Sequence, residues 1–348
     1  MTAAPLRLGV IGLGSAFERF HLPALERVAE IEIVALADAD PERCRRIAAN
    51  LGAVRCHADA SSLIASELDA VAVCVPPADH AAVSLEVLRA GRHLFLEKPI
   101  ALSIEEANRL VEASRRAPVV AMTGFNLRGH LLAQDARRRV QSGRLGLVRS
   151  VHTIFTQTAA KPRATHWRGR PGQGGEALLD LGVHHFDLLR FVLGSEIEEL
   201  SAETSPDGTS ARVQARLSGG VDARIDLAGS LGPADANAME IEAEEAHLSV
   251  SFYRAFGLRQ RPGGIRRLAR LAPALAFDRF RGGAFPSSYR RQWRSFARAV
   301  ANGNRGDPTL EDGRASLAAA IAALEAARSR RPVPVARPIA AVTEVPSR

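Results

Sequence analysis

Five short apolar runs alternate with helical segments over the first 125 residues, and this alternation constrains the fold more than any other feature. A run that is followed by a helix cannot return as a hairpin, so successive runs form a parallel sheet with helices on both faces. The runs are LRLGVI (6–11), IEIVALAD (31–38), AVRCHA, DAVAVCVP and HLFLEK, and between them lie ERFHLPALERVA, PERCRRIAANLG, SSLIASEL and ADHAAVSLEVLRAG.

A glycine-containing turn follows the first apolar run. GLGSAF places Gly12 and Gly14 between a strand and a helix, where the backbone can approach a pyrophosphate and the helix N-terminus attracts its charge. Ser15, Ala16 and Phe17 are the next candidate contacts, and Phe17 stands where the dinucleotide fingerprint has a small residue. The turn predicts a dinucleotide site, although tight turns also use glycine for purely structural reasons.

The end of the second run indicates which dinucleotide binds. Asp38 lies where a carboxylate accepts the ribose hydroxyls and repels a 2′-phosphate, and position 39 is Ala rather than a basic residue. The sequence therefore predicts NAD as the cofactor. Arg43, five residues further on, leaves NADP as the alternative.

Length and charge exclude several other classes. The chain has 348 residues, enough for two domains with separate cores, and no apolar run approaches the roughly 20 residues of a membrane span. Residues 253–285, with eight arginines and one acid, carry +7 of the net charge of +8. Because the rest of the chain is nearly neutral, we expect neither a nucleic-acid-binding surface nor a membrane partner.

The cysteines and the N-terminus predict a cytoplasmic protein. Cys44, Cys56 and Cys74 are too few and too scattered for a disulfide framework or a zinc site, and we expect no bound metal. MTAAPLRLGVIGLG lacks the basic start, apolar stretch and small-residue cleavage site of a secretory signal.

The use of lysine singles out one residue. Of the 46 basic residues only Lys98 and Lys161 are lysines. Lys98 ends the fifth apolar run, between Glu97 and Pro99, where a surface role is not expected. A compact ammonium on a flexible stem can donate to an oxygen that gains negative charge and can change its protonation on burial, whereas a guanidinium is rigid and permanently charged.

The segment around Lys98 resembles the Gfo/Idh/MocA family of dehydrogenases. HLFLEKP carries the most specific part of the resemblance, together with VCVPPADH before it and GGEALLDLGVHHFD after it, and the similarity runs over roughly residues 5 to 330. The resemblance implies a nicotinamide-binding Rossmann domain, followed by an α/β domain whose large open sheet often makes dimer and tetramer contacts.

The same resemblance assigns the catalytic residues Lys98, Asp180 and His184. It places Pro76, His80, Glu97 and Lys98 with the cofactor, although His80 is also compatible with a solvent-facing helix N-terminus. Asp180, His184 and Asp187 fall at i, i+4 and i+7 of a helix predicted over 177–194, so they share one stripe. His184 is then the general base and Asp180 orients it or relays to Lys98; a structural Asp–His pair is the alternative.

Five further residues are candidate substrate contacts. TGFNLRGH resembles the family's crossing between domains, and THWRGRPGQGG is a loop that the family uses near the substrate. Glu176 replaces the third glycine that relatives often have after Gly174 and Gly175, and His185 points about 100° away from His184. The candidates are Asn126, Trp167, Arg168, Glu176 and His185.

The predicted architecture is α/β with two domains. Residues 1–124 form the NAD(P)-binding Rossmann domain, with a doubly wound parallel sheet. Residues 125–331 form a substrate and oligomerisation domain with a large open, mainly antiparallel sheet, since partial alternation with turn signals recurs from residue 197 onward. The Pro-rich residues 332–348 are predicted to be an extended tail.

The predicted function is transfer of hydride between NAD(P) and a carbinol of a polyhydroxylated small molecule: a sugar, a cyclitol or a nucleotide sugar. We expect a homodimer or homotetramer. Two alternatives remain, an NAD-dependent glycosidase that oxidises its substrate transiently and a non-catalytic NAD-binding regulator.

The role of the arginine-rich segment 253–285 has three alternatives. GIRRLARL predicts a short amphipathic helix before Pro273. It is compatible with a solvated or subunit-facing helix, with binding of an anionic substrate, and with docking on a membrane surface.

Overall fold

The computed structural model describes residues 4–158, 166–170, 172–229, 235–254, 257–261, 265–280 and 283–337. Lys161, parts of the arginine-rich segment and the end of the predicted tail lie outside the described residues. None of the described helices is long and apolar enough to cross a membrane.

The N-terminal sheet has six parallel strands in the order β3-β2-β1-β4-β5-β6. Its order reverses between β1 and β4, and in such sheets ligands bind beyond the carboxyl ends of the strands at this point. The predicted Rossmann architecture is confirmed. The strands are β1 (Leu6–Ile11), β2 (Ile31–Ala37), β3 (Arg55–His57), β4 (Ala70–Val73), β5 (His93–Leu96) and β6 (Ala121–Thr123).

The N-terminal helices cover both faces of this sheet. In β4, Ala70 and Ala72 face one core while Val71 and Val73 face the other. The helix after the glycine turn begins with a π-helical turn, Phe17–His21. This wider turn accommodates Pro23, which has no N–H to donate to the preceding turn. The helices are α1 (Leu22–Leu25), α2 (Pro41–Leu51), α3 (Ala60–Ile64), α4 (Pro77–Arg89) and α5 (Ile104–Arg116).

The second sheet has eight described strands in the order β13-β12-β11-β7-β10-β9-β8-β14. Only β7 and β10 pair in parallel among these strands, so the predicted mainly antiparallel sheet is confirmed. The strands are β7 (Val148–Thr156), β8 (Ile197–Thr204), β9 (Ser210–Leu217), β10 (Asp222–Ala228), β11 (Ala236–Ala243), β12 (His247–Ser251), β13 (Leu258–Arg261) and β14 (Val333–Pro334). The last strand places the beginning of the predicted tail on the edge of the sheet, beside β8.

Five further α-helices lie in the described part of the chain after residue 130. Burial alternates along the strands, as in β9, so one face of the sheet packs on helices and the other bears polar side chains. The helices are α6 (Leu131–Gln141), α7 (Val183–Leu193), α8 (Ile265–Phe280), α9 (Ala284–Asn302) and α10 (Leu310–Ser329).

Helix α9 completes the core of the N-terminal sheet. Trp293 is fully buried, and its ring stacks on Phe95 of β5 with the centroids 4.0 Å apart. Phe296 packs edge-on against both rings. One face of the Rossmann sheet is therefore covered by residues nearly 200 positions later in the sequence. The boundary predicted after residue 124 divides the sequence but not this core.

Two cysteines pair, contrary to the expectation of no disulfide. Cys44 of α2 and Cys56 of β3 form a disulfide with their Cα atoms 6.1 Å apart, and Cys74 stays free. The two residues are 12 positions apart in sequence, but α2 packs on β2 and returns the chain to β3 beside it. The spacing of the cysteines in the sequence did not indicate that one helix–strand unit brings Cys44 and Cys56 together.

The helix in the arginine-rich segment is longer than expected. It was predicted to end before Pro273, but α8 continues through Pro273 to Phe280. Its C-terminal turn is anchored on α9, because the fully buried Asp278 accepts hydrogen bonds from Arg290 at 3.3 Å and Arg291 at 2.6 Å. Tertiary pairing thus extends the helix beyond the point where proline weakens it.

Candidate active site

The glycine turn lies at the point where the strand order reverses. Gly12 has a φ of +88°, and a Cβ there would lie 2.6 Å from the backbone of Cys74 and Val75 after β4. A Cβ on Gly14 would meet nothing within 4 Å. The first backbone N–H groups of the following helix, at Ser15 and Ala16, have no acceptor within a helix. Open space in front of a helix N-terminus fits the pyrophosphate of a dinucleotide.

Phe17 explains the departure from the dinucleotide fingerprint. Its side chain is fully buried in the core beneath the sheet instead of lying in the turn. The large side chain of Phe17, which the dinucleotide fingerprint disfavours, is therefore directed away from the space beside Gly14. Only the backbone of Phe17 is placed to contribute to the helix N-terminus.

Asp38 lies at the same edge of the sheet, where the ribose of a dinucleotide would bind. One carboxylate oxygen accepts from the backbone N–H of Leu13 at 2.6 Å. The other accepts from the N–H of Asp40 at 2.8 Å and from the Arg43 guanidinium at 2.9 Å. Each carboxylate oxygen has two acceptor sites, so the Leu13-bonded oxygen retains one for a ribose hydroxyl. The residues present fit NAD, and Arg43 is paired with Asp38 instead of being directed at a phosphate.

Lys98 is held by Asp180 across the cleft between the two sheets. Its Nζ donates to the backbone carbonyl of Asp180 at 2.7 Å and to Oδ1 of the same residue at 2.8 Å. The Lys98–Pro99 peptide bond is cis. An ammonium has three N–H donors, and no third acceptor for Nζ is found among the described residues. One N–H of Lys98 is therefore available for a ligand oxygen.

Asp180 is the counterion of two cations. It lies in a π-helical turn, Leu178–Gly182, that precedes α7, and its Oδ2 accepts from Arg168 Nε at 2.9 Å. Burial raises the pKa of Asp180, but the positive charges of Lys98 and Arg168 outweigh this and hold it well below its ordinary value. The carboxylate therefore remains ionised at neutral pH and is a poor proton relay. The side chain of Asp180 contacts Lys98 and Arg168, whereas the sequence interpretation had it either orienting His184 or relaying to Lys98.

His184 lies one helical turn after Asp180. Its Nδ1 is buried without a hydrogen-bond partner in the described part of the chain, and its ring packs between Phe125 and Phe155 at 6.2 and 5.9 Å. Burial, followed by the charge of Lys98, lowers the pKa of His184 well below its ordinary value. The imidazole is thus neutral at neutral pH, the state in which it can accept a proton.

Glu97 is fixed by a histidine that sequence reasoning missed. Its Oε1 lies 3.0 Å from Nε2 of His21, and its Oε2 accepts from the Lys98 backbone N–H at 3.1 Å. The indole of Trp293 can only donate, so its 3.2 Å contact with His21 Nδ1 assigns the ring proton to Nε2. The chain has ten histidines and nothing in ERFHLP marks His21.

His80 ties two loops together beneath the site. It is 1% exposed, so the solvent-facing alternative was wrong. Its Nδ1 lies 2.6 Å from the carbonyl of Pro99 and its Nε2 lies 2.8 Å from that of Val75. Burial lowers the pKa of His80. Pro76 is the N-cap of α4 in the same loop. His80 thus fixes the backbone next to Lys98.

The predicted substrate contacts divide into two groups. The structure brings Trp167 and Arg168 to Asp180, with the Arg168 guanidinium 4.1 Å from the centroid of the Trp167 ring. The other three make protein contacts: Asn126 donates to Ser288 at 2.9 Å, His185 lies 3.2 Å from Asn237, and Glu176 accepts from the Gly172 N–H at 2.8 Å. No described group of three or more His, Cys, Asp and Glu side chains is arranged to hold a metal ion.

The parallel sheet, the glycine turn and Asp38 together define a dinucleotide-binding Rossmann protein. The family model described as "Oxidoreductase family, NAD-binding Rossmann fold" matches residues 6–125, and the model of the "GFO/IDH/MocA C-terminal domain" matches residues 133–249. The chain belongs to the Gfo/Idh/MocA family of NAD-binding oxidoreductases.

The matches to individual relatives cover different fractions of the chain. The chain is 28% identical to inositol 2-dehydrogenase of Rhizobium meliloti, over 95% of this chain and 99% of that protein. It is 30% identical to myo-inositol 2-dehydrogenase of Thermotoga maritima, but that match spans only 58% of either chain. The crystal structure of the WlbA dehydrogenase from Bordetella pertussis, in complex with NADH and UDP-GlcNAcA, superposes with a TM-score of 0.87 at 21% identity, covering 97% and 99% of the two chains. At this identity the last likeness concerns the fold alone.

Proposed function

We propose that the protein oxidises a carbinol of a sugar, a cyclitol or a nucleotide sugar and passes the hydride to NAD. The observation that carries this proposal is the arrangement around Asp180: this residue holds Lys98 with one N–H left over, and it lies one helical turn before the neutral His184. An uncharged base and a positively charged donor are the two groups that removal of hydride from a carbinol requires.

Each residue then has a separate role. His184 accepts the hydroxyl proton, which its neutral ring can do at physiological pH. Lys98 donates to the same oxygen as it gains alkoxide character, while the ionised Asp180 keeps the ammonium in place. NAD, when bound, accepts the hydride at its nicotinamide ring. The backbone at Gly12, Gly14 and the following N–H groups would hold its pyrophosphate, and Asp38 its ribose.

The substrate class is supported by the chemistry of the cleft and by the relatives. Inositol is the substrate in the names of two relatives, and the superposed WlbA structure contains a UDP sugar. The guanidinium of Arg168, which lies over the Trp167 ring, supplies a cationic donor that suits the oxygens of a polyhydroxylated ring. We propose that Asn126, His185 and Glu176 contact the substrate only through side-chain polar atoms that are not used in the hydrogen bonds described above.

We also propose a cytoplasmic homodimer or homotetramer that associates through the outward face of the eight-stranded sheet. That face has a concavity of about 610 Å³ lined by polar and charged side chains, among them His152, Glu240 and His247. It lies on strands β7 to β12 and includes none of the proposed catalytic residues, so it suits contact between subunits better than catalysis. Access to the NAD pool supports the cytoplasmic location.

A fluorescence screen for NADH tests the proposal. Purified protein is incubated with NAD or NADP and with sugars, inositols and nucleotide sugars, alongside nitrophenyl glycosides. We expect net NADH from at least one free polyol, and a weaker signal with NADP because Asp38 repels a 2′-phosphate. Release of nitrophenol without net NADH would instead indicate a glycosidase, and NAD binding without either product would indicate a regulator.

A further inference from the structure

Two cations share one carboxylate in the active site. Asp180 accepts from Lys98 on Oδ1 at 2.8 Å and from Arg168 on Oδ2 at 2.9 Å. The Lys98 and Asp180 side chains are 12% and 16% exposed, and Arg168 is 31% exposed. At this degree of burial, charges a few ångströms apart interact much more strongly than at an exposed surface.

Arg168 is held in place independently of Asp180. It belongs to a single helical turn, Trp167–Gly169, in which its backbone N–H donates to His166 Nδ1 at 3.2 Å. Its guanidinium lies over the Trp167 ring. The returning loop passes so close that a Cβ on Gly175 would overlap the carbonyl group of Arg168. Arg168 therefore presents Nε to Asp180 from a fixed position.

The contact between Arg168 and Asp180 also affects Lys98. Two of the three N–H groups of its ammonium donate to Asp180, and the third is the one left for a substrate oxygen. A carboxylate bonded by Lys98 alone can rotate about its side-chain torsions and take the flexible ammonium with it. A second cation on the opposite oxygen fixes the carboxylate plane and attracts part of its charge.

We propose that Arg168 is a positioning residue that acts on Lys98 through Asp180. By sharing the carboxylate it limits the hold of Asp180 on the ammonium and keeps the third N–H directed into the cleft. Its effect on turnover rests on the function proposed above, but the sharing of charge does not.

The rate of acetylation of Lys98 measures this sharing without any substrate. The chain has only two lysines, so mass spectrometry after brief treatment with acetic anhydride compares Lys98 directly with Lys161 as an internal reference. In Arg168→Met the full charge of Asp180 acts on Lys98 alone and holds its ammonium more tightly in the two hydrogen bonds, so the amine reacts more slowly. We expect a decrease of about three- to tenfold relative to Lys161, the order of effect of one unit charge near a partly buried ammonium.

Two variants complete the experiment. Arg168→Lys restores a cation opposite Oδ2, so we expect its Lys98 to react at close to the original rate. Arg45→Met removes an arginine of α2 that is 64% exposed and should leave the rate unchanged. Faster labelling of Lys98 in Arg168→Met would show that Arg168 merely covers the lysine, and an unchanged rate would show that the two are not coupled. Either result overturns the proposal.

Kinetics with a substrate found in the screen give the second readout. A positioning role lowers kcat by about tenfold in Arg168→Met with KM changed less than about twofold, because the lost interaction concerns the reacting state. A rise in KM at constant kcat would make Arg168 a substrate contact instead. If no polyol is oxidised, the function proposed above fails, but the labelling result still decides whether Arg168 acts on Lys98.

Discussion

A single lysine in an arginine-rich protein is explained by the number and geometry of its donors. The chain has 44 arginines and two lysines. At position 98 the compact ammonium donates twice to Asp180 and keeps one N–H. A planar guanidinium would spread its donors over a fork and would remain charged throughout the reaction. A lysine therefore suits position 98, because its ammonium can stay bonded to Asp180 and still offer one N–H to a substrate oxygen.

Glu97→Gln tests whether the neighbour of Lys98 contributes stability through its charge. Burial raises the pKa of Glu97, but the His21 hydrogen bond and the Lys98 charge outweigh this, so the pKa lies below its ordinary value. A carboxyl group with a depressed pKa contributes stability above about pH 4.3, its value in unfolded chains, and loses it as the pH falls through the folded value. We expect Glu97→Gln to lower the free energy of unfolding by about 1–3 kcal/mol near neutral pH.

The pH dependence separates charge from packing. In urea titrations, the difference between the original protein and Glu97→Gln should narrow as the pH falls below about 4. Glu112→Gln is the control, because Glu112 is half exposed in a 3.7 Å pair with Arg116 and should have almost no effect. A difference that is constant over this pH range would show that Glu97 stabilises by shape rather than by ionisation.

Sequence patterns indicated which side chains are candidates for the site but not which residues they pair with. The stripe of Asp180, His184 and Asp187 suggested one shared environment, but Asp187 pairs with Arg128 at 2.6 Å, whereas Asp180 pairs with Lys98. His21 meets Glu97 across 76 positions, and Arg168 meets Asp180 across a loop without periodicity. Residue type and helical spacing carry information on which side chains are polar, but pairing depends on how separate elements approach one another.

At the scale of elements, two π-helical turns position polar residues of the candidate site. A π-helical turn, Leu178–Gly182, places the Asp180 carbonyl against Lys98, and another, Phe17–His21, places His21 against Glu97. The sequence predicted helices at both places. Five residues of wider winding do not change an apolar pattern enough to be recognised, so their π-helical form was not predicted, although such turns often occur at functional sites.

Gly12 and Gly14 should respond differently to the same substitution. A methyl group at Gly12 would collide with the backbone after β4 and require a positive φ, so Gly12→Ala should lower the thermal midpoint clearly. A methyl group at Gly14 enters open space. We expect Gly14→Ala to melt like the original protein but to bind NAD about tenfold more weakly, because the pyrophosphate needs that space.

Calorimetry of the two variants with and without NAD provides the measurement. The melting temperature of each free protein reports the collision, and titration with NAD reports the dinucleotide site. Unchanged NAD affinity in Gly14→Ala would mean that the pyrophosphate does not pass this turn.

At the scale of the whole molecule, the local part of the fold was predictable and the non-local part was not. Strand and helix signals alternate within short windows, so the Rossmann sheet and the mainly antiparallel sheet followed from the sequence. The packing of Trp293 on Phe95 and the Cys44–Cys56 disulfide join segments that no local pattern relates. The domain boundary after residue 124 stays a prediction, and the packing of Trp293 on Phe95 joins residues on its two sides.

The active site also depends on both halves of the molecule. Lys98 follows a strand of the first sheet, whereas Asp180 and His184 lie on the helix that packs on the second. Neither half contains Lys98 and His184 together. The structure brings Lys98 and Asp180 within hydrogen-bond distance, and the proposed chemistry depends on NAD binding beside them.

Turnover and NAD binding measured together on Lys98→Met and His184→Ala test this account most directly. We expect both variants to bind NAD and to lose NADH formation by at least about 10³-fold, in the range of acid–base and charge-stabilising groups. Lys161→Met, which removes the other lysine, should retain full activity. Substantial NADH formation by either active-site variant would contradict the assignment of donor and base.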